Sequence, residues 1–87
     1  MTLKIQISAN GKAVTFTLIG RIKAEEVAEL QRLFEVEGQD HRIILDLKDV
    51  KLVDRDAVRF LARCNANGIQ LEYCPRYIRE WIVREGT

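Results

Sequence analysis

Hydrophobic and polar residues alternate in the first part of the chain, which predicts two β-strands joined as a hairpin. The apolar positions of this alternation are Leu3, Ile5, Ile7, Val14, Phe16 and Leu18. A period of two is typical of strands that bury one face. The intervening Asn10-Gly11 favours a type I′ turn, because both central residues of that turn require a positive φ.

The spacing then changes to three and four residues, which predicts an amphipathic helix from Ala24. Its apolar face consists of Ala24, Val27, Leu30, Leu33 and Phe34. Glu25 and Glu26 occupy the first turn, where their charge favours the positive end of the helix dipole. Gly38 is predicted to end the helix in a left-handed conformation.

A continuous apolar run at 43–45, followed by Asp46 and Leu47, predicts a central strand covered on both faces. A second helix is predicted to begin after Asp54 and to stop at Asn67-Gly68. The inner face of this helix is predicted to carry Ala57, Val58, Leu61, Ala62 and Asn65.

A last strand and a closing helix complete the pattern. The strand alternates through Ile69, Leu71 and Tyr73, and Pro75 suits the first turn of the helix because its missing N–H has no partner there. The buried stripe of the helix is Ile78, Trp81 and Ile82. Core packing is the simpler role for Trp81, and a dimer or partner contact is the alternative.

The predicted order is β-β-α-β-α-β-α, with two strand-helix-strand units whose strands run parallel. We therefore predict an α/β fold with a single mixed four-stranded β-sheet and helices packed on it. Eighty-seven residues with 47% hydrophobic content suffice for one modest core, so residues 1–87 are expected to form a single domain.

The charge balance changes this picture little. Fourteen basic and thirteen acidic side chains give a net charge of +1, which argues against attraction to nucleic acid or to a membrane surface. The apolar runs are far shorter than a membrane span, and the first residues lack the apolar core of a signal peptide. We expect a soluble, cytoplasmic protein without membrane insertion.

Two segments of the chain resemble the STAS domain family, which includes bacterial anti-sigma factor antagonists. They are Gly-Arg-Ile-Lys at 20–23, before the first helix, and IILDLKDVKLVDRDAVRFL at 43–61. The family pattern D-L-x-x-V-x-x-[LIV]-D-[ST]-[SA]-G-[LV] is matched at Asp46, Leu47, Val50, Val53, Asp54 and Val58. The resemblance implies a STAS-like fold over nearly the whole chain and a protein-interaction function without catalysis.

The chain departs from the family at its regulatory position. STAS regulators of sigma factors are phosphorylated on the serine or threonine after the motif aspartate, and the resemblance places Arg55 there. Asp56 holds the next small-residue position, Ala57 replaces the motif glycine, and Lys23 replaces the aspartate before the first helix. No serine or threonine lies between Thr17 and Thr87, so the phosphorylation switch is expected to be missing.

The two aspartates at this turn each have a structural and a functional interpretation. Asp54 can cap the second helix by accepting hydrogen bonds from its first N–H groups. Asp56 adds a favourable charge in the first turn. It could also act as a fixed phosphate mimic, although one charge is less than a phosphate carries and the neighbouring Arg55 offsets it.

Arginines recur every four residues at 55, 59 and 63, so they form one stripe along the second helix. The stripe is either a solvated face or, with Arg21 and Lys23, a basic edge that docks an acidic protein. The predicted partner-binding residues are Arg21, Lys23, Asp54, Arg55, Asp56, Arg59 and Arg63. Nucleic acid is disfavoured, because no aromatic platform interrupts the stripe.

The chain offers no catalytic constellation. Cys64, Cys74 and the single histidine, His41, lack the spacing of a metal site or the partners of a nucleophile. Asp46, inside the central strand, is the one carboxylate expected to be buried, and a bond to nearby backbone is its simplest role. We expect no enzyme activity, metal or cofactor.

The favoured hypothesis is a bacterial regulatory module that binds another protein, such as an anti-sigma factor kinase or a related regulator with an acidic surface. The alternative is a ligand-sensing or transport-associated accessory STAS domain. A homodimer is retained as a further partner option.

Overall fold

The computed structural model describes residues 3–38 and 40–85 and contains four strands and three helices within them. In chain order they are β1 (Leu3–Asn10), β2 (Ala13–Ile22), α1 (Ala24–Glu37), β3 (Arg42–Val53), α2 (Arg55–Ala66), β4 (Gln70–Glu72) and α3 (Arg76–Glu85). The predicted order β-β-α-β-α-β-α is confirmed.

The strands form one mixed sheet in the order β1-β2-β3-β4. β1 pairs with β2 antiparallel, whereas β2 with β3 and β3 with β4 pair in parallel. The β2–β3 ladder shifts register between Thr17 and Ile19 and again between Gly20 and Arg21. The two long parallel strands therefore end side by side, which brings the turns that lead into α1 and α2 together.

The core lies on one face of the sheet, against the helices. Directly paired residues share a face, so Leu18 lies opposite Ile5, and Phe16 lies opposite Leu45. The expectation that β3 is covered on both faces is wrong for its second face, because Ile44 remains half-buried while Leu45 is fully buried. The sheet is thus covered by helices on one side.

Three phenylalanines connect the sheet to the first two helices. Phe16 of β2 meets Phe34 of α1 edge to face, with ring centroids 5.0 Å apart. Phe34 in turn stacks on Phe60 of α2 at 5.6 Å. Both arrangements are favoured geometries for aromatic pairs. Since Leu30 is the only fully buried residue of α1, this aromatic contact holds much of the helix in place.

Helix α1, with 14 residues, is the longest helix. Across residues 3–38 and 40–85, no helix is long and apolar enough to cross a membrane.

The hairpin turn differs from the predicted one by one residue. Asn10 pairs with Ala13, so the two-residue loop is Gly11-Lys12. Gly11 has a φ of +64°, and Lys12 is not among the residues with positive φ. A positive φ at the first central residue alone is the pattern of a type II′ turn, in which glycine takes that position. The predicted type I′ turn at Asn10-Gly11 is therefore wrong.

The role predicted for Gly38 is also wrong. It ends α1 with a φ of −90°, in the right-handed region, and its N–H donates to the Phe34 carbonyl at 2.8 Å. A Cβ atom at this position would lie 2.5 Å from Cδ1 of Ile43 and 2.5 Å from the Phe34 carbonyl oxygen. Only glycine fits at this position, because β3 crosses the end of the helix and leaves no space for a Cβ atom.

Two predicted core positions lie at the surface. Asn65 is exposed on α2, and Phe60 and Cys64 are buried on that helix. Tyr73 lies after the end of β4, has a φ of +55° and is 68% exposed. The inner face of α2 is therefore rotated relative to the predicted one, and the last strand ends before its expected tyrosine.

The space around Gly38 generates a prediction. We expect Gly38→Ala to lower the free energy of unfolding by about 1–3 kcal/mol, the usual cost of overpacking a closely packed site. Urea denaturation followed by circular dichroism measures the change.

Ile43→Val removes the Cδ1 atom nearest to the added methyl group, so it supplies the matched control. The double substitution should recover part of the loss caused by Gly38→Ala, although the Phe34 carbonyl still opposes the methyl group. Strictly additive effects of the two substitutions would contradict this steric explanation.

Candidate protein-interaction site at the helix N-termini

The candidate site lies at the end of the sheet where β2 and β3 run into their helices. Ile22 pairs with Val53, and the Asp54 N–H donates to the Ile22 carbonyl at 3.2 Å. Because the strands are parallel, both following helices direct their N-termini to this end. The two turns thus form one surface, although Ala24 and Asp54 lie 30 positions apart in the chain.

Asp54 caps both helices at once. Its Oδ1 accepts a hydrogen bond from the Ala57 N–H at 2.9 Å, which satisfies a first-turn donor of α2. Its Oδ2 accepts another from the Ala24 N–H at 2.9 Å, at the start of α1. The sequence predicts only the first bond, because the second depends on how two distant turns are brought together.

Helix α1 has a local cap of its own. The Glu26 carboxylate accepts a hydrogen bond from the Lys23 N–H at 2.9 Å, and the Glu26 N–H donates to the Lys23 carbonyl at 2.9 Å. The ammonium of Lys23 cannot accept the N–H bonds that a capping aspartate would take. Asp54 supplies that acceptor from the neighbouring turn.

The predicted partner-binding residues fall into two groups by exposure. Arg21, Arg55, Asp56, Arg59 and Arg63 are exposed, whereas Lys23 and Asp54 are half-buried. The half-buried pair lies in the two turns, and the exposed five provide accessible charges at these turns and along α2.

Two arginines of the stripe are joined to α3 through Glu85. Arg55 Nε lies 3.4 Å from one carboxylate oxygen of Glu85, and Arg59 Nε lies 3.3 Å from the other. The side chain of Glu85 is only 18% exposed, whereas those of Arg55 and Arg59 are 67% and 49% exposed. The stripe is therefore partly neutralised, and Arg55 pairs with α3.

Trp81 supports the same carboxylate. Its indole N–H donates to Glu85 at 3.3 Å, and its ring is partly buried against the core. Glu85 is not among the partner-binding residues predicted from the sequence. The spacing of four residues between Trp81 and Glu85 indicated a shared helix face, but only the packing of α3 beside α2 brings the arginines within reach.

The environment of Glu85 lowers the pKa of its carboxyl. Desolvation on its own would raise this pKa, but hydrogen bonds from Arg59 and Trp81 and the charges of Arg55 and Arg59 outweigh it. The folded protein thus favours the charged carboxylate more than the unfolded chain does.

Apolar side chains at this end were also missed. Leu52 is 47% exposed and pairs directly with Arg21 across the β2–β3 ladder, so the two lie on the same face. Tyr77 is 47% exposed, and its hydroxyl donates to the Lys51 carbonyl at 3.0 Å. Exposed leucine and tyrosine beside arginine form a composition that suits protein interfaces.

The thiols are poorly suited to chemistry. Burial raises the pKa of Cys64 to about 12, and the charge of Arg63 only partly opposes this. Burial also raises the pKa of Cys74, against the charge and hydrogen bond of Arg79. Both sulfurs therefore favour the protonated, weakly nucleophilic form.

The remaining polar candidates do not converge. Asp46 accepts a hydrogen bond from the Lys48 N–H at 3.1 Å, the backbone contact expected for it. His41 is exposed before β3. Within 3–38 and 40–85, no group of three His, Cys, Asp or Glu side chains could hold a metal ion.

A groove of about 380 Å³ runs between α1 and α2, beyond the N-terminal site. Its lining consists of Gln31, Phe34, Glu35, Phe60, Arg63, Cys64, Asn67 and Ile69. Arg63 thus belongs to the rim of this groove, in the last turn of α2, whereas Asp54 caps the start of that helix.

Comparison with known proteins identifies the fold. No protein-family model matches the chain, and no curated protein matches it. An antisigma-factor antagonist STAS domain from Rhodobacter sphaeroides matches with a TM-score of 0.56 and 14% identity, over 98% of this chain and 79% of that one. A DUF3478 protein from Shewanella loihica PV-4, described as having a SpoIIAA-like fold, matches with a TM-score of 0.57 and 13% identity.

The Shewanella match covers 76% of this chain, which spans only 57% of that protein. A third structure, Mglu, matches with a TM-score of 0.60 and 25% identity over 82% of this chain, which spans 19% of Mglu. The chain therefore has a STAS-like, SpoIIAA-like α/β fold, and the resemblance predicted from its motifs is confirmed at the level of the fold.

The double cap predicts a graded loss of stability. We expect Asp54→Ala to lower the free energy of unfolding by roughly 2 kcal/mol, because each of the two caps contributes ~1 kcal/mol. Asp54→Asn should cost about half as much, since an amide keeps one accepting oxygen. Chemical denaturation measures both changes.

Asp56→Ala is the matched control for the double cap. Asp56 is exposed in the same turn and accepts no cap bond within the described residues, so we expect a loss of only ~0.3–1 kcal/mol. Equal losses for Asp54→Ala and Asp56→Ala would contradict the double cap.

The lowered pKa of Glu85 predicts a pH dependence. Its stabilising contribution should be fully present above its ordinary value of 4.5 and lost as the pH falls through the lower folded pKa. We expect Glu85→Gln to lower Tm near neutral pH, and the difference from the wild type to shrink in acid. A difference that is the same at every pH would show that the charge of Glu85 is not involved.

Proposed function

We propose that this chain is a non-catalytic, STAS-like protein-interaction module of a bacterial regulatory complex. The observation that carries the proposal is the match of 98% of the chain to an antisigma-factor antagonist STAS domain. On this view residues 1–87 act as a single domain in the cytoplasm, and the partner is another protein.

The proposed contact surface is the end of the sheet at the two helix N-termini. It combines exposed charges at Arg21, Arg55 and Asp56 with the apolar surface of Leu52 and Tyr77. Lys23 and Asp54 hold the turns beneath it. Arg59 and Arg63 extend it along α2, where Arg59 is shared with Glu85.

An acidic partner surface suits this arrangement. Arg21 is exposed and forms no ion pair with the residues that the structure describes, so its guanidinium is available for a forked bond to a carboxylate. Arg55 adds a second, partly neutralised charge. A kinase-type regulator of sigma factors, or a related protein with an acidic face, fits these charges.

We further propose that the module acts in a fixed state. The position after Asp54 is an arginine and cannot accept phosphate. Because Arg55 pairs with Glu85, it does not neutralise Asp56 by an ion pair within the described residues. Asp56 therefore presents a permanent negative charge at the start of α2, the place where a phosphorylated relative gains its charge.

Affinity capture tests the proposed surface. The tagged chain, an Arg21→Glu, Leu52→Ser variant and a Lys12→Glu control are used to recover proteins from a bacterial lysate for quantitative mass spectrometry. Lys12 is exposed in the hairpin loop at the opposite end of the sheet. We expect partners held by the wild type and the control to be depleted at least ~10-fold with the double variant, the effect of losing about 1.4 kcal/mol.

Arg55 and Arg59 are neutralised to glutamine in a separate variant, because reversal to glutamate would place three carboxylates together at Glu85. Circular dichroism confirms that each variant is folded. Recovery of the same proteins at the same level by all forms would overturn the proposed docking surface.

A further inference from the structure

The outer edge of β1 is the longest unprotected strand edge in the sheet. β1 pairs with β2 through all eight of its residues, from Leu3 to Asn10, without a register shift. It is the first strand in the sheet order, so none of the described residues pairs with its other side. Its outer backbone groups can therefore form a second ladder.

The register indicates which backbone groups face outward. Asn10 and Ala13 flank the two-residue loop and so form a hydrogen-bonded pair, and such pairs recur at every second residue. Ser8, Gln6 and Lys4 then bond to β2. The N–H and C=O groups of Ile5, Ile7 and Ala9 point away from the sheet.

β1 carries only one of the usual devices that block edge pairing, a single lysine. The strand contains no proline and no bulge, and Lys4 is its only charged residue. The opposite edge is different, because β4 has three residues and is followed by Tyr73 in a left-handed conformation and by Pro75. The protein thus protects one edge and leaves the other open.

We propose that two copies of this chain associate through antiparallel β1–β1 pairing, forming one continuous eight-stranded sheet. This inference goes beyond the proposed function, and it concerns the middle of β1, away from the helix N-termini. The two-fold axis is perpendicular to the sheet and passes midway between the Gln6 residues of the two copies. Ile5 of one copy then lies opposite Ile7 of the other.

The side chains of β1 complement one another in this register. Ile7 is 43% exposed on the helix side of the sheet, and pairing covers it with Ile5 of the second copy. On the open side, Lys4 lies opposite Ser8, so the two lysines do not face each other. Outward backbone groups of the isoleucines exchange pairs of hydrogen bonds.

Sedimentation velocity over a concentration series tests the association. We expect the wild type to shift toward twice its 10.1 kDa chain mass as concentration rises. Ile7→Lys places a charge opposite Ile5 of the second copy. It should raise the dimer dissociation constant at least ~10-fold. Val36→Lys, at a 68% exposed apolar position on α1, is the matched control and should dimerise like the wild type.

Cysteine cross-linking tests the register. Gln6→Cys and Ser8→Cys are each combined with Cys74→Ala and oxidised mildly. In antiparallel pairing about Gln6, the two introduced thiols at position 6 lie at a non-hydrogen-bonded pair, where Cα atoms are about 4.5 Å apart and a disulfide can form. The Ser8→Cys thiols are several residues apart and should not cross-link.

Three outcomes would overturn the proposal: a wild type that stays monomeric throughout the series, unchanged association of Ile7→Lys, or equal cross-linking at positions 6 and 8. None of them bears on the docking surface, because Arg21 and Leu52 are not changed in these variants.

Discussion

The structure depends on one carboxylate that joins two turns. Asp54 bonds to the first turn of α2 and, with its second oxygen, to the start of α1. The pairing of β2 with β3 brings the two turns together. The hydrogen bond from the Asp54 N–H to the Ile22 carbonyl fixes their spacing. Asp54 therefore caps both helices, and its position determines the shape of the surface at their N-termini.

The packing on one side of the sheet determines where the remaining surfaces lie. Helices cover one face, and the contact from Phe16 through Phe34 to Phe60 connects β2 to α1 and α2. The other face, the open β1 edge and the strand ends remain accessible.

Charge at the candidate site is distributed by tertiary contacts more than by sequence neighbours. Arg55 lies beside Asp56 in the chain, yet it pairs with Glu85 of α3. Arg55 thus helps to hold α3 beside α2, while the Asp56 carboxylate next to it in the chain remains exposed.

The sequence by itself determined the order of elements and most of the core, because the period of apolar residues is a local property of strands and helices. The tertiary structure decided the side-chain contacts that no local pattern of residues predicts. Gly38 is needed because β3 crosses the end of α1, Asp54 has a second helix to cap, and Glu85 meets two arginines of α2. Each of these contacts joins residues that are distant along the chain, so their geometry exists only after the sheet has formed and α3 has packed beside α2.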